Sequence, residues 1–146
     1  MKIGPLEESY LWESGNCWRI SQINGCTFCV DLNSAIGLRR GVNPEKLAAV
    51  AEFEANPFSD REKAALAYAE AITYSGRQPT PAHFEQLRRH FDEDGIIELT
   101  GLIAFQNLSS KFNAALGGNH RDFALSYRRW ETGHSCVNPR RIRITL

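Results

Sequence analysis

The chain has 146 residues, with seventeen basic and seventeen acidic side chains and therefore no formal net charge. This length fits one domain that buries about two thirds of its unfolded surface, so the fold needs no disulfide framework. Apolar residues make up 42% and charged residues 23%, which is the composition of a globular protein. The neutral balance argues against a dedicated nucleic-acid-binding domain, which is usually strongly basic.

The apolar segments and the first residues argue against a membrane protein. The longest apolar region, residues 96–108, is about half the length that a transmembrane helix requires, and it contains Glu98. Residues 1–10 include Glu7 and Glu8 and lack the apolar core of a signal peptide. We therefore expect a cytoplasmic protein without membrane contacts. Its four cysteines are then catalytic, metal-binding or inert rather than a disulfide framework.

The charges divide the chain into two parts. Residues 1–117 carry eleven basic and fifteen acidic side chains, whereas residues 118–146 carry six arginines against Asp122 and Glu131. The second part also lacks the helical pattern of the first. We expect residues 1–117 to form the domain and residues 118–146 to form a basic C-terminal extension. Six arginines do not suffice to assign nucleic-acid binding to that extension.

The first predicted helix begins at Asn24 or Gly25 and ends near Arg40, before Gly41. Asn24 is a suitable N-cap residue because its side chain can accept a hydrogen bond from the first turn. This start places Cys26 within the first turn of the helix.

Four further helices have recognisable start signals. Three of the starts are Asn43-Pro44, Ser59 with Glu62 in a capping-box pattern, and Thr80-Pro81. Apolar side chains at helical spacing follow them and predict buried faces: Leu47, Val50, Ala51 and Phe53, then Ala65, Leu66, Tyr68, Ala69 and Ile72, then Phe84, Leu87 and Phe91. Acidic residues 92–94 open the longest helix, which runs from Glu93 to Leu116 and stops at Gly117. Only residues 141–146 alternate like a strand, so we predict an all-α fold of five or six helices.

Cys26 and Cys29 are the candidates for chemistry. Two thiols three residues apart share one helix face and can form a disulfide with little backbone movement, so the pattern indicates a reversible redox pair. The helix dipole near a helix start favours the Cys26 thiolate. Inert packing of both cysteines is the alternative. A zinc site would need two more ligands from Cys17, His134 and Cys136, whose spacing is not that of a zinc finger, so we expect no metal and no cofactor.

Residues 20–31, which read ISQINGCTFCVD, are followed by an alanine-rich segment at 57–71 and a mixed apolar and polar segment at 98–113. In order and spacing these three blocks resemble the carboxymuconolactone decarboxylase family, in its alkylhydroperoxidase D-like branch, over about residues 18–117. The resemblance implies an alkylhydroperoxidase D-like helical bundle. It also implies a homo-oligomer, usually a trimer or a hexamer built from trimers.

The resemblance further implies a peroxidase cycle at the cysteine pair. One thiolate attacks a hydroperoxide and becomes a sulfenic acid, and the other thiol condenses with it to form a disulfide. An external dithiol then reduces that disulfide. In this branch Cys29 meets the peroxide and Cys26 resolves the sulfenic acid, whereas the helix dipole alone favours Cys26 as the more acidic thiol. The implied partners are a hydroperoxide substrate and a dithiol reductant.

The proton-relay residues of this branch are missing from the sequence. The position of its histidine is occupied by Asn33, and that of its glutamate by Ser14. Glu13 is one residue away, which on a helix turns the side chain by about 100°. Asn33 cannot act as a general base, but it can hydrogen-bond a thiolate or a water, so it is the third candidate site residue.

Loss of a positioned acid–base group lowers a rate by roughly 10² to 10⁴. We therefore expect a weakened thiol-dependent hydroperoxide reductase or a thiol–disulfide redox protein. A non-catalytic oligomeric scaffold or small-molecule-binding protein of the same family is the alternative. A lactone decarboxylase is less favoured because decarboxylation has no use for a thiol pair. Asn107 and Asn113 either line a pocket over the cysteines or face a subunit boundary.

Overall fold

The computed structural model of the protein describes residues 15–117. These residues form helices only: α1 (Asn16–Ile23), α2 (Thr27–Arg39), α3 (Pro44–Ala48), a 3₁₀ helix (Val50–Ala55), α4 (Asp60–Thr73), α5 (Pro81–Arg88) and α6 (Glu93–Ala115). The predicted all-α fold is confirmed. The candidate strand at 141–146 and the basic extension at 118–146 lie outside the described residues.

The predicted helix starts at Asn43, Ser59 and Asp92 are confirmed by their capping bonds. The Ser59 hydroxyl accepts a hydrogen bond from the backbone N–H of Glu62, and the Glu62 carboxylate accepts one from the backbone N–H of Ser59. The side chains of Asn43 and Asp92 likewise cap α3 and α6. Each of these bonds joins residues no more than three apart, so the signal is fully contained in the local sequence.

The segment after Asn43 differs from its prediction as one amphipathic helix. The α-helix ends at Ala48, and the 3₁₀ helix that follows contains one residue with non-helical dihedral angles, Glu52. Because a 3₁₀ helix has three residues per turn, Val50 and Phe53 lie on the same side, and both are buried. Ala51, which was predicted to be buried, is therefore exposed.

Two apolar clusters hold the bundle together. The larger contains Ile20 of α1 with residues of α4, α5 and α6: Ala65, Tyr68, Ala69, Leu87, Leu99 and Ile103. The smaller contains Val50, Phe53, Phe58 and Leu66, with Trp18 of α1 packed against it. Helix α1 thus contacts both clusters and packs against α2, α4 and α6. The turn that leads from α1 to the cysteine pair is consequently anchored in the core.

None of the helices within residues 15–117 is long and apolar enough to cross a membrane.

Candidate redox site

The turn between α1 and α2 places the first cysteine. Asn24 is the C-cap of α1, and Gly25 has a φ of 66°, in the left-handed region that favours glycine. The N–H of Gly25 donates to the carbonyl of Gln22 at 3.1 Å, and the N–H of Cys26 donates to the carbonyl of Ser21 at 3.0 Å. This pair of bonds is the Schellman arrangement, which ends a helix. The prediction that Asn24 begins the cysteine helix is therefore wrong, because Asn24 and Gly25 end the preceding one.

Cys26 is itself the N-cap of α2. Its sulfur accepts a hydrogen bond from the backbone N–H of Cys29 at 3.2 Å, as a serine or aspartate oxygen does at other helix starts. Cys26 had been predicted within the first turn of this helix, but it lies just outside that turn. Cys29 lies within it. Both sulfurs are at the positive end of the α2 dipole, where a thiolate is stabilised.

The two cysteines are joined as a disulfide, with their Cα atoms 5.3 Å apart. Within the chain, Cys26 is 2% exposed and Cys29 is 3% exposed. The geometry fits the prediction that two thiols three residues apart at a helix start can form a disulfide with little backbone movement. This geometry fits a redox role for the pair.

Asn33, at the position of the missing histidine, is buried one turn beyond Cys29. Its side-chain Nδ2 donates to the Ser21 hydroxyl at 3.1 Å and to the Cys17 carbonyl at 3.3 Å. Within residues 15–117 it makes no hydrogen bond to either sulfur of the pair. The Ser21 hydroxyl in turn donates to the same Cys17 carbonyl at 2.6 Å and accepts from Gln106 Nε2 at 3.0 Å. The Asn33 amide thus links α2 to α1 by hydrogen bonds, and the bond between Ser21 and Gln106 links α1 to α6.

The sequence does not single out Ser21 and Gln106 as site residues. The available signal is a row of polar residues in the apolar α6, spaced three or four apart: Gln106, Ser110 and Asn113. All three face the cysteine side of the bundle. Ser110 accepts from Asn24 Nδ2 at 2.8 Å, and Asn113 Nδ2 lies 3.7 Å from the sulfur of Cys29. Asn113 therefore lies beside the cysteine pair.

Cys17 is a free thiol buried in α1. Burial disfavours its charged form and raises the pKa of the Cys17 thiol to about 12. It therefore stays protonated at neutral pH and packs as a small apolar side chain. No group of three or more His, Cys, Asp or Glu side chains within residues 15–117 is arranged to hold a metal ion. The other zinc candidates, His134 and Cys136, and the relay positions Glu13 and Ser14 lie outside the described residues.

The fold and the site together define a class of protein, an all-α bundle with a buried CxxC disulfide at the start of a helix. The sequence profile of the carboxymuconolactone decarboxylase family matches residues 17–71. The uncharacterized protein YdfG of Bacillus subtilis is 30% identical over 101 residues, which are 68% of this chain and 69% of that protein. The uncharacterized protein YnjA of Escherichia coli K12 is 43% identical over 99 residues, 67% of this chain. The chain belongs to the carboxymuconolactone decarboxylase family. It spans only 54% of the length of YnjA.

Three solved structures are similar to this one. The debrominase Bmp8 is 31% identical, with a TM-score of 0.65 over 74% of this chain and 57% of Bmp8. A cysteine-to-alanine variant of Bmp8 in complex with 2,3,4-tribromopyrrole is 28% identical, with a TM-score of 0.68 over 82% of this chain and 64% of that one. The Agrobacterium tumefaciens protein ATU0492, of unknown function and suggested to be the antioxidant defence protein AhpD, is 24% identical with a TM-score of 0.72 over 80% of both chains. The last match shows the shared fold, and the predicted alkylhydroperoxidase D-like bundle is confirmed.

Proposed function

We propose that the chain is a thiol-dependent oxidoreductase that reduces hydroperoxides with Cys26 and Cys29. The observation that supports this most directly is the pairing of the two cysteines at the start of α2, where the backbone N–H of Cys29 already faces the sulfur of Cys26. In the forward reaction two thiols and one hydroperoxide give one disulfide, one alcohol and one water. An external dithiol then exchanges with the disulfide and restores both thiols, in a compartment such as the cytoplasm that keeps thiols reduced.

The described residues make this a site without a titrating relay. The histidines of residues 15–117 are His83 in α5 and His90 beyond its end, and α5 packs on α4 and α6 rather than on the cysteine helix. Asn33 donates its amide to Ser21 and Cys17 and has no basic atom to accept a proton. With no relay group among residues 15–117, we expect the thiolate to form by loss of its proton to water and to be stabilised by the α2 dipole and by hydrogen-bond donors. We expect slow turnover that rises with pH as the reacting thiol ionises.

The test is the consumption of cumene hydroperoxide by the purified full chain in the presence of dithiothreitol. Turnover by the wild type that is lost in both Cys26→Ser and Cys29→Ser supports the proposal. Cys17→Ala is the matched control, since the Cys17 thiol is buried and protonated, and it should keep the wild-type rate. Absence of turnover with all thiols reduced contradicts the proposal. It would favour the non-catalytic scaffold or binding protein of the same family.

A second candidate reaction is favoured by the similarity to Bmp8. A dithiol can also reduce a carbon–bromine bond, in which case two thiols and one aryl bromide give one disulfide, one aryl C–H bond, bromide and a proton. The same cysteine pair would supply the two electrons. Release of bromide from 2,3,4-tribromopyrrole, measured by ion chromatography in parallel with the hydroperoxide assay, separates the two substrates. The Cys29→Ser variant controls for both reactions.

We also propose that the chain forms a homo-oligomer, a trimer or a hexamer, through the outer face of α6. That face carries large apolar side chains that are 56–67% exposed: Ile97, Phe105, Leu108, Phe112 and Leu116. They recur every three to eight residues along a helix about 35 Å long. At roughly 100 Å² of exposed area each, they supply about 500 Å², more than half of the roughly 800 Å² that one partner contributes to a specific interface. A second copy of the chain fits this face because α6 supplies the same unpaired stripe in every copy.

A further inference from the structure

The side chain of Asn113 is a neighbour of the Cys29 sulfur. From the sequence alone, Asn113 could either line a pocket over the cysteines or face a subunit boundary. Asn113 lies in the last turns of α6, 84 residues away in sequence, and its Nδ2 is 3.7 Å from the Cys29 sulfur. We propose that Asn113 donates a hydrogen bond to Cys29 that is strongest when this sulfur is a thiolate. The inference deepens the proposed function, on which it rests for the use of the reduced pair. It assigns a side-chain donor to Cys29, at a site whose relay histidine and glutamate are missing.

The orientation of the Asn113 amide is fixed by a second contact. Its Nδ2 also donates to the backbone carbonyl of Ser109, one turn earlier, at 2.9 Å. A carbonyl oxygen can only accept, so the nitrogen of the amide, and not its oxygen, must face this side. The amide nitrogen has two hydrogens, and one of them is held by Ser109. The acceptors within reach of the second hydrogen are the Ser109 hydroxyl at 3.5 Å and the Cys29 sulfur at 3.7 Å, and a thiolate at Cys29 would be the stronger acceptor of the two.

The two sulfurs therefore have different donors. Cys26 accepts from the backbone N–H of Cys29, which no side-chain substitution removes, whereas Cys29 accepts from Asn113. A disulfide sulfur is a weak acceptor and a thiolate is a strong one, so the bond from Asn113 favours the reduced and ionised form of Cys29. When the Cys29 thiol loses its proton to water, the charge that remains faces the amide N–H. Removal of this donor should raise the pKa of the Cys29 thiol and leave that of Cys26 unchanged.

The charged groups on the three helices around the pair do not replace this donor. Asp31 of α2 and Lys111 of α6 are exposed, and each is two residues from Cys29 or Asn113, a spacing that turns a helical side chain to roughly the opposite face. Arg19 of α1 is paired with Glu70 of α4 at 2.6 Å. The remaining charges lie further along their helices. Arg39, at the end of α2, is ten residues from Cys29, and the three carboxylates at the start of α6 are at least fifteen residues from Asn113: Glu93, Asp94 and Glu98. The buried thiol of Cys17 is neutral.

The test compares two variants of the full chain, each of which keeps one thiol of the pair. Cys26→Ser leaves Cys29 as the reactive thiol and keeps an oxygen that can cap α2, and Cys29→Ser leaves Cys26. In each background the rate of alkylation by iodoacetamide is followed against pH on the relevant peptide by mass spectrometry, with and without Asn113→Leu. We expect Asn113→Leu to raise the pKa of Cys29 by about one unit, which is roughly a tenfold loss of thiolate below that pKa. The pKa of Cys26 should not change.

An unchanged pKa of Cys29, or equal changes for both cysteines, would overturn the proposal, since equal changes indicate a general disturbance of the helix packing. Asn113→Asp serves if the leucine variant does not fold. The carboxylate has nearly the same shape, lacks the N–H donor and adds a negative charge, so it should raise the Cys29 pKa above its wild-type value. A lower or equal pKa in this variant would contradict the inference. Alkylation needs no peroxide, so the effect of Asn113 on the pKa of Cys29 can be measured even if the protein does not reduce hydroperoxides.

Discussion

The Ser21 hydroxyl is the hydrogen-bond centre of the site, and its removal tests how the three helices around the cysteines are held. It is fully buried, donates to the Cys17 carbonyl, and accepts from Asn33 and Gln106. In Ser21→Ala, the Cys17 carbonyl and the Asn33 amide keep their bond to each other. The Gln106 amide is different, because within residues 15–117 Ser21 is the partner to which its Nε2 donates.

The expected cost of Ser21→Ala follows from this difference. One buried donor left without a partner costs about 1–3 kcal/mol, and two further hydrogen bonds of about 1 kcal/mol each are lost but in part compensated. Alanine is the better helix former by a few tenths of a kcal/mol, which offsets a small part. We therefore expect a fall of about 2–3 kcal/mol in the free energy of unfolding. Ser21→Ala should lower the free energy of unfolding by less when it is made in Gln106→Leu than when it is made in the wild type, because leucine has no amide to be left without a partner.

Urea denaturation followed by circular dichroism measures these free energies, and Ser34→Ala is the matched control. The Ser34 hydroxyl donates to the Val30 carbonyl, one turn earlier in its own helix. The change from serine to alanine is thus the same, with the loss of a local bond only, and should cost less than about 1 kcal/mol. Equal losses for Ser21→Ala and Ser34→Ala would refute the reasoning. So would strict additivity of Ser21→Ala and Gln106→Leu, because residues in direct contact should couple.

Three other predictions concern pH, the relay position and assembly. Cys17 has a pKa near 12 in the fold against an ordinary value of 9.0, so the folded state keeps a proton that the unfolded state loses. The stability that this provides is complete below pH 9 and decreases as the pH rises towards 12, by roughly 1.4 kcal/mol per pH unit. Urea midpoints should show this decrease in the wild type and less of it in Cys17→Ala. Asn33→His places a titrating group where the family motif has one and should raise the rate of hydroperoxide consumption by about tenfold; a rate equal to that of the wild type would speak against this position as a relay. Phe105→Glu combined with Leu108→Glu should reduce the sedimentation coefficient to that of a monomer, and an unchanged coefficient would exclude the outer face of α6 as the interface.

Much of the fold could be predicted because its signals are local. The caps formed by Asn43, Ser59 and Asp92 join residues two or three apart, so the sequence contains both partners of each bond. Asn24 and Gly25 show where local signals fail, since asparagine is common at helix starts and Asn-Gly equally fits a helix end. The choice depends on the left-handed φ of Gly25 and on the carbonyls of α1 that it brings within reach.

The residues of the site also fall into two groups, those that the local sequence predicts and those that depend on how the helices pack. Cys26 and Cys29 could be predicted because their spacing alone brings two thiols onto one face of a helix. Gln106 meets Ser21 across 85 residues, and Asn113 meets Cys29 across 84. Such contacts depend on which face of α6 packs against α1 and α2. The apolar residues of α6 surround the whole helix and do not reveal that face, since the outer stripe is as apolar as the inner one.

The central claim is that Cys26 and Cys29 form a reversible redox pair in the folded protein. A redox titration tests it most directly: the full chain is equilibrated in dithiothreitol buffers of graded potential, quenched in acid, alkylated and analysed by peptide mass spectrometry, with circular dichroism recorded on each sample before the quench. We predict a single two-electron transition in which Cys26 and Cys29 change together, with Cys17 reduced throughout and the helical signal constant. A pair that stays in one state over the whole range, or that changes only when the helices unfold, would contradict the claim.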